Sequence, residues 1–147
     1  MSLYDRDGEI WTVSFAATNR GLPSKLKSVL KSEGSDVFTG EMLSRAVESF
    51  DQLEALSAEP FVIFLEPPSV NDRIVNQAAL FSVMSNPNHI LHEWLDAHPD
   101  AYRRIVIPAD IKWEVRDKLD QVNITERVLF PGLDGLGRYL KRYYTQR

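Results

Sequence analysis

The chain has 147 residues, 44% of them apolar and 26% charged, with a net charge of −4. At that length about two-thirds of the unfolded chain's surface can be buried, and these proportions exclude a disordered, collagenous or coiled-coil protein. No apolar run reaches the ~20 residues of a membrane helix, no basic-then-apolar leader opens the chain, and the absence of cysteine excludes disulfide and thiol chemistry, which fits a reducing cytoplasm.

Residues 1–68 hold 6 Lys/Arg against 11 Asp/Glu, and residues 69–147 hold 11 against 10. Such a balance argues against general nucleic-acid binding, which needs a strong positive excess. Beyond Asp134 the only charged groups are Arg138, Lys141, Arg142 and Arg147. Cations late in a helix offset the partial negative charge at its C-terminus, so they read as a solvated helix end.

Asp7-Gly8 is a turn signal, and Trp11, Val13 and Phe15 alternate with Thr12 and Ser14, predicting a half-buried strand. Pro23 can start a helix whose face is Leu22, Leu26, Val29 and Leu30, and Glu33-Gly34-Ser35-Asp36 breaks it. A helix over 40–55 puts Met42, Leu43, Ala46, Val47, Phe50 and Leu53 on one stripe. Phe61-Val62-Ile63-Phe64-Leu65 is apolar throughout and predicts a central strand covered on both faces, stopped by Pro67-Pro68.

From Asn71 a short helix follows, then a strand near 80–84 and a turn at Asn86-Pro87-Asn88. Ile90, Leu91, Trp94 and Leu95 mark a helix ended by His98-Pro99, and 104–107 form a strand closed by Pro108. Asp110 is a candidate cap for a helix burying Ile111, Val115 and Leu119. The last helix carries Leu133, Leu136 and Leu140 on one stripe, with Tyr143 and Tyr144 behind. The expected fold is one mixed α/β (α+β) domain over 1–147, a small sheet of about four strands packed with five or six helices.

His89, His92 and His98 lack the spacing of a metalloprotease pair, and no metal site is expected. No nucleophile elbow, phosphate loop or dinucleotide fingerprint is present. Gly132, Gly135 and Gly137 read as tight packing at a helix start. The dense polar cluster runs from Glu66 to Gln77, after the carboxyl end of the central strand, where α/β folds tend to bind ligands. Arg73 offers a fork for phosphate or carboxylate, and Asn76 and Gln77 could fix a planar amide or base. The competing reading is structural: Asp72 caps the helix, Arg73 pairs with Glu66, and Gln77 satisfies backbone. The candidate ligand-binding residues are therefore Glu66, Arg73, Asn76 and Gln77.

At this cluster the chain resembles a known family. Glu66-Pro67-Pro68 followed by Asp72-Arg73-Ile74-Val75-Asn76-Gln77-Ala78-Ala79-Leu80-Phe81 is similar to the R-I-x-x-Q-x-G-x-F stretch of the FRG domain family. Ile124-Thr125-Glu126-Arg127-Val128-Leu129-Phe130-Pro131-Gly132-Leu133-Asp134-Gly135-Leu136 resembles its closing L-F-P-D-L-D-G-L signature, and Asp7-Gly8-Glu9-Ile10-Trp11 its mid-domain strand. Ala79 stands where the family has glycine. The aromatic-Arg-Gly motif that names the family has no counterpart, so the resemblance implies the C-terminal half of such a domain.

The resemblance also implies a bacterial, phage- or defence-associated protein with no firmly assigned reaction. By fold-level analogy it suggests half of an ADP-ribosyltransferase-like fold, with Arg73 and Gln77 bordering a nucleotide pocket. Two function classes stay open: a nucleotide-using transferase or toxin fragment, with NAD or another nucleotide as ligand, and a non-catalytic protein-interaction module. No motif demands a cofactor. A chain opening in mid-domain is expected to leave a sheet face bare, with Trp11, Val13 and Phe15 exposed. Its expected partner is therefore a second copy or a separate N-terminal segment, and not a membrane.

Overall fold

The computed structural model describes residues 4–145, which form four β-strands and nine α-helices. The elements are β1 (Gly8–Val13), α1 (Phe15–Arg20), α2 (Ser24–Glu33), α3 (Gly40–Ala46), α4 (Phe50–Glu54), β2 (Val62–Leu65) and α5 (Asp72–Asn76). They continue as β3 (Phe81–Met84), α6 (Leu91–Asp96), β4 (Tyr102–Ile107), a 3-10 turn (Ala109–Ile111), α7 (Lys112–Gln121), α8 (Glu126–Leu129) and α9 (Leu133–Tyr143). The class is mixed α+β, but the four strands form two two-stranded sheets, β1 with β4 and β2 with β3, and not one sheet. Among the described residues no helix is long and apolar enough to cross a membrane.

By internal contacts the chain divides into two compact units, one of Trp11–Pro68 with Leu80–Arg104, the other of residues 4–10, Ser69–Ala79 and 105–145. In the first, β2 is the central strand that its apolar run predicts. Phe61 and Ile63 join a cluster with Leu22, Leu26, Leu30, Phe38, Met42, Ala46, Val47 and Leu53. Val62 and Phe64 face the other way, into Trp94, Leu95 and Ala101. Alternation puts successive side chains on opposite faces, so a strand covered on both must be apolar at every position. Fully burying one such side chain contributes about 1.5–3 kcal/mol.

Both edges of β2 are occupied, which is why no larger sheet grows from it. On one side it pairs antiparallel with β3, Ile63 opposite Val83 and Leu65 opposite Phe81. On the other, Phe38 N–H donates to Phe64 O and Glu66 N–H to Phe38 O, each at 2.8 Å.

Short polar side chains set the helix starts. Ser14 accepts from Ala17 N–H at 3.3 Å, ending β1 and opening α1, so Phe15 belongs to a helix and not to the strand. The helix expected over 40–55 is two helices, because Val47 is extended and Ser49 caps α4 by accepting from Gln52 N–H at 3.2 Å. That break turns Phe50 out of the expected stripe to 71% exposure, while Leu53 stays fully buried. Gly34 ends α2 in the left-handed conformation, φ 62°, that a residue without Cβ adopts freely.

The face expected to lie bare is largely used. Val13 and Phe15 pack against the cluster around Phe64, with the Phe15 and Phe64 rings 4.9 Å apart. Trp11 remains 41% exposed and stacks on Tyr102 at 5.1 Å.

The second unit holds α5, the 3-10 turn, α7, α8 and α9. Asn71, and not Asp72, caps α5 by accepting from Ile74 N–H at 3.0 Å. The helix ends with Ala78 at φ 45°, a conformation costly for a residue with Cβ. Asp110 lies inside the 3-10 turn and caps nothing; Ala109 N–H is bound instead by the Asp7 carboxylate at 2.9 Å. The leucine stripe of α9 faces outward, with Leu133 at 86% exposure, Leu136 at 41% and Leu140 at 42%. A Cβ on Gly135 would lie 1.7 Å from Phe130 O, so this glycine does mark tight packing at the start of α9.

Candidate functional site

Three of the four candidate residues meet in the second unit. Asn76 Nδ2 donates to Val128 O at 2.9 Å, Gln77 Nε2 donates to Leu129 O at 2.8 Å, and the Arg73 guanidinium lies 5.1 Å over the Phe130 ring. The last carbonyls of a helix have no partner within it. Residues 76 and 77 therefore supply donors that the one-turn helix α8 cannot supply for itself. Glu66 belongs to the other unit, where it is exposed and its amide is bound to Phe38 O.

Beside this clamp is a charge network not foreseen from the sequence. Arg142, in α9, donates from both terminal nitrogens to the Asp120 carboxylate at 2.7 and 2.9 Å and from Nε to Glu126 Oε1 at 2.8 Å. Arg116, in α7, pairs with the same Glu126 oxygen and lies 3.9 Å from Asp120. Two cations and two anions thus tie α7, α8 and α9 together. Arg142 is not part of a solvated tail; its side chain is 15% exposed. Among the described residues Glu126 Oε2 and Thr125 Oγ1 are buried with no hydrogen-bond partner.

The electrostatics follow from this geometry. Burial pushes the Glu126 carboxyl up, but the hydrogen bond from Arg142, a backbone amide, and the charges of Arg116 and Arg142 outweigh it and hold the group below its ordinary value. Burial likewise disfavours the charged Arg142, and hydrogen bonds to Glu126 and Asp120 reverse the sign, so it stays protonated throughout.

Aromatic rings complete the site. Arg138 lies 5.3 Å over the Phe130 ring that Arg73 also covers. Arg127 and Arg142 lie 5.0 and 5.5 Å over Tyr139. The sequence signals for these partners are the four-residue spacing of Arg116 and Asp120 and the three-residue spacing of Tyr139 and Arg142; the rest depends on how three helices cross. His98 is bound through Nδ1 to Trp94 O at 2.7 Å and stacked on that tryptophan. Among the described residues no group of three or more His, Cys, Asp or Glu could hold a metal ion.

In the first unit two open grooves flank Phe50. One of about 270 Å³ is lined by Leu43, Val47 and Leu53, and one of about 520 Å³ by Glu54, Val83 and Met84. Neither contains a candidate residue. No family model, curated protein or solved structure matches this chain.

Proposed function

We propose that this chain is an FRG-like, non-catalytic interaction module that associates with a second copy of itself through α9. The observation that carries the reading is the engagement of Asn76 and Gln77. Their amides are donated to the carbonyls of Val128 and Leu129, as residues that organise a turn would be, and not held free for a base or a substrate amide. A nucleotide-using transferase with Arg73, Asn76 and Gln77 lining its pocket is the reading this disfavours.

Two features support the module. The stretches that carry the FRG resemblance, 66–81 and 124–136, are the ones these bonds join. In addition, α9 exposes Leu133, Leu136, Leu140 and Tyr143. Their spacing of three, four and three is the seam spacing with which a helix seats on a like helix, so a second α9 is the occupant it fits.

Light scattering during size exclusion tests the reading. The parent chain should run as a dimer or higher oligomer, and Leu136→Asp or Leu140→Asp should give a monomer with an unchanged circular dichroism spectrum. A parent chain that stays monomeric across a wide concentration range refutes self-association. A dimer unaffected by either substitution refutes α9 as its seam.

A further inference from the structure

We infer that Arg73, Arg127 and Arg138 form a binding surface for a pyrophosphate group, free or carried on a small molecule such as a nucleoside diphosphate. The arginines of this unit divide into two sets. Arg116 and Arg142 meet Asp120 and Glu126, two cations for two anions. Arg73, Arg127 and Arg138 are exposed, and among the described residues no carboxylate pairs with any of them. The chain neutralises the sheltered pair and leaves these three uncompensated.

Their placement is not that of scattered surface charges. Arg73 and Arg138 share the Phe130 ring, and Arg127, one helical turn before Phe130, lies over Tyr139, the neighbour of Arg138. Cation–π attraction holds a guanidinium near a ring without a hydrogen-bond acceptor taking up its N–H donors. Phe130 and Tyr139 hold the three guanidinium carbons 5.0–5.3 Å from their ring centroids, and among the described residues no carboxylate competes for those donors. Three like charges held around two rings repel one another, and an arriving polyanion relieves that repulsion. The carboxylates on these elements are Glu126, beside Arg127 but paired with Arg116 and Arg142, and the exposed Asp72, beside Arg73, and Asp134, one turn before Arg138.

Pyrophosphate fits because it offers two phosphoryl groups and several negative charges to three forks, whereas a single carboxylate or phosphate satisfies one or two. The surface is independent of the α9 leucine stripe, so failure of either proposal leaves the other standing.

Isothermal titration of the full chain at low ionic strength with inorganic pyrophosphate, ADP and adenosine tests the assignment. Pyrophosphate should bind and adenosine should not; ADP binding as well would show that a carried group is accepted, and pyrophosphate alone would assign the free anion. Arg127→Gln and Arg138→Gln should each weaken binding about tenfold, as expected for losing a charge-assisted hydrogen bond. Arg127→Lys and Arg138→Lys keep the charge and lose the fork, and should weaken it by a smaller factor if a glutamine variant fails to fold. Absence of pyrophosphate binding overturns the assignment. So does ADP or adenosine binding without pyrophosphate binding, or pyrophosphate affinity unchanged in the variants.

Discussion

Replacing Arg142 with leucine would test what holds the second unit together. The leucine keeps part of the stem's bulk and removes the charged head. Asp120 then loses two donors at 2.7 and 2.9 Å, and Glu126 loses one at 2.8 Å. Arg116 alone remains for two sheltered carboxylates. Removing one partner of a fully buried pair costs about 3–5 kcal/mol, because the other charge is left uncompensated. Here the Arg142, Glu126 and Asp120 side chains keep 15, 17 and 32% of their exposure. Water therefore recovers part of the loss, and about 2–3 kcal/mol is expected. Arg142→Lys should fall between, since one ammonium cannot reproduce a fork across two carboxylates. Urea unfolding gives the total, and hydrogen exchange locates it: α9 amides should lose protection while those of β2 should not. A cycle combining Arg142→Leu with Glu126→Gln should show a coupling above about 1 kcal/mol. An unchanged urea midpoint, or a coupling near zero, would refute the view that this network joins the three helices.

The same carboxylate sets a pH dependence. Glu126 is held below its ordinary value of 4.5 in the folded chain, so folding favours its ionised form. That stabilisation is complete above pH 4.5 and is lost as pH falls through the folded value, and Glu126→Gln should abolish this part of an acid-denaturation curve. Gly135→Ala would put a Cβ 1.7 Å from Phe130 O and 2.8 Å from Glu126 O, both backbone atoms, so α9 must back away from α8. A loss of about 2 kcal/mol or more is expected. Gly137→Ala, where nothing lies within 4 Å, is the control and should gain up to about 1 kcal/mol from helix propensity. Equal thermal midpoints for the two variants would count against the contact.

What could be read from the residues follows the range of the forces involved. The strand at Phe61–Leu65, the helix after Pro23 and the stop at Gly34 rest on local pattern and backbone chemistry, and each stands where expected. Helices α1, α4 and α8 have four to six residues, too few for an apolar period to show, and the first two announce themselves only through the serine caps at 14 and 49. At the candidate cluster, residue types alone could not separate donors aimed at a ligand from donors aimed at backbone. The partners of Asn76 and Gln77 lie 52 residues away in sequence, and their carbonyls belong to every residue type alike.

Helix α9 shows why its stripe misleads. An amphipathic helix ordinarily turns its apolar face to the core, but here Gly135, Tyr139 and Arg142, at the spacing of one helix face, make the inward contacts, while Leu133, Leu136 and Leu140 look outward. Close approach at Gly135 brings α9 onto the backbone at the end of α8, and the Arg142 fork then reaches Asp120 and Glu126. Rotating the helix to bury the leucines would withdraw that fork and leave two sheltered carboxylates short of a cation. Leu133, and the still exposed parts of Leu136 and Leu140, gain burial free energy, up to about 1.5–3 kcal/mol for a whole side chain, only if something covers them. With the inner face committed to charge and close packing, the proposed second copy would supply that cover. Leu133, at 86% exposure, therefore adds little to the fold of the isolated chain, whereas Leu136 and Leu140 are already more than half covered within it. Leu133→Asp should leave the urea midpoint nearly unchanged at dilutions where the parent is monomeric, and lower it only where the parent is assembled.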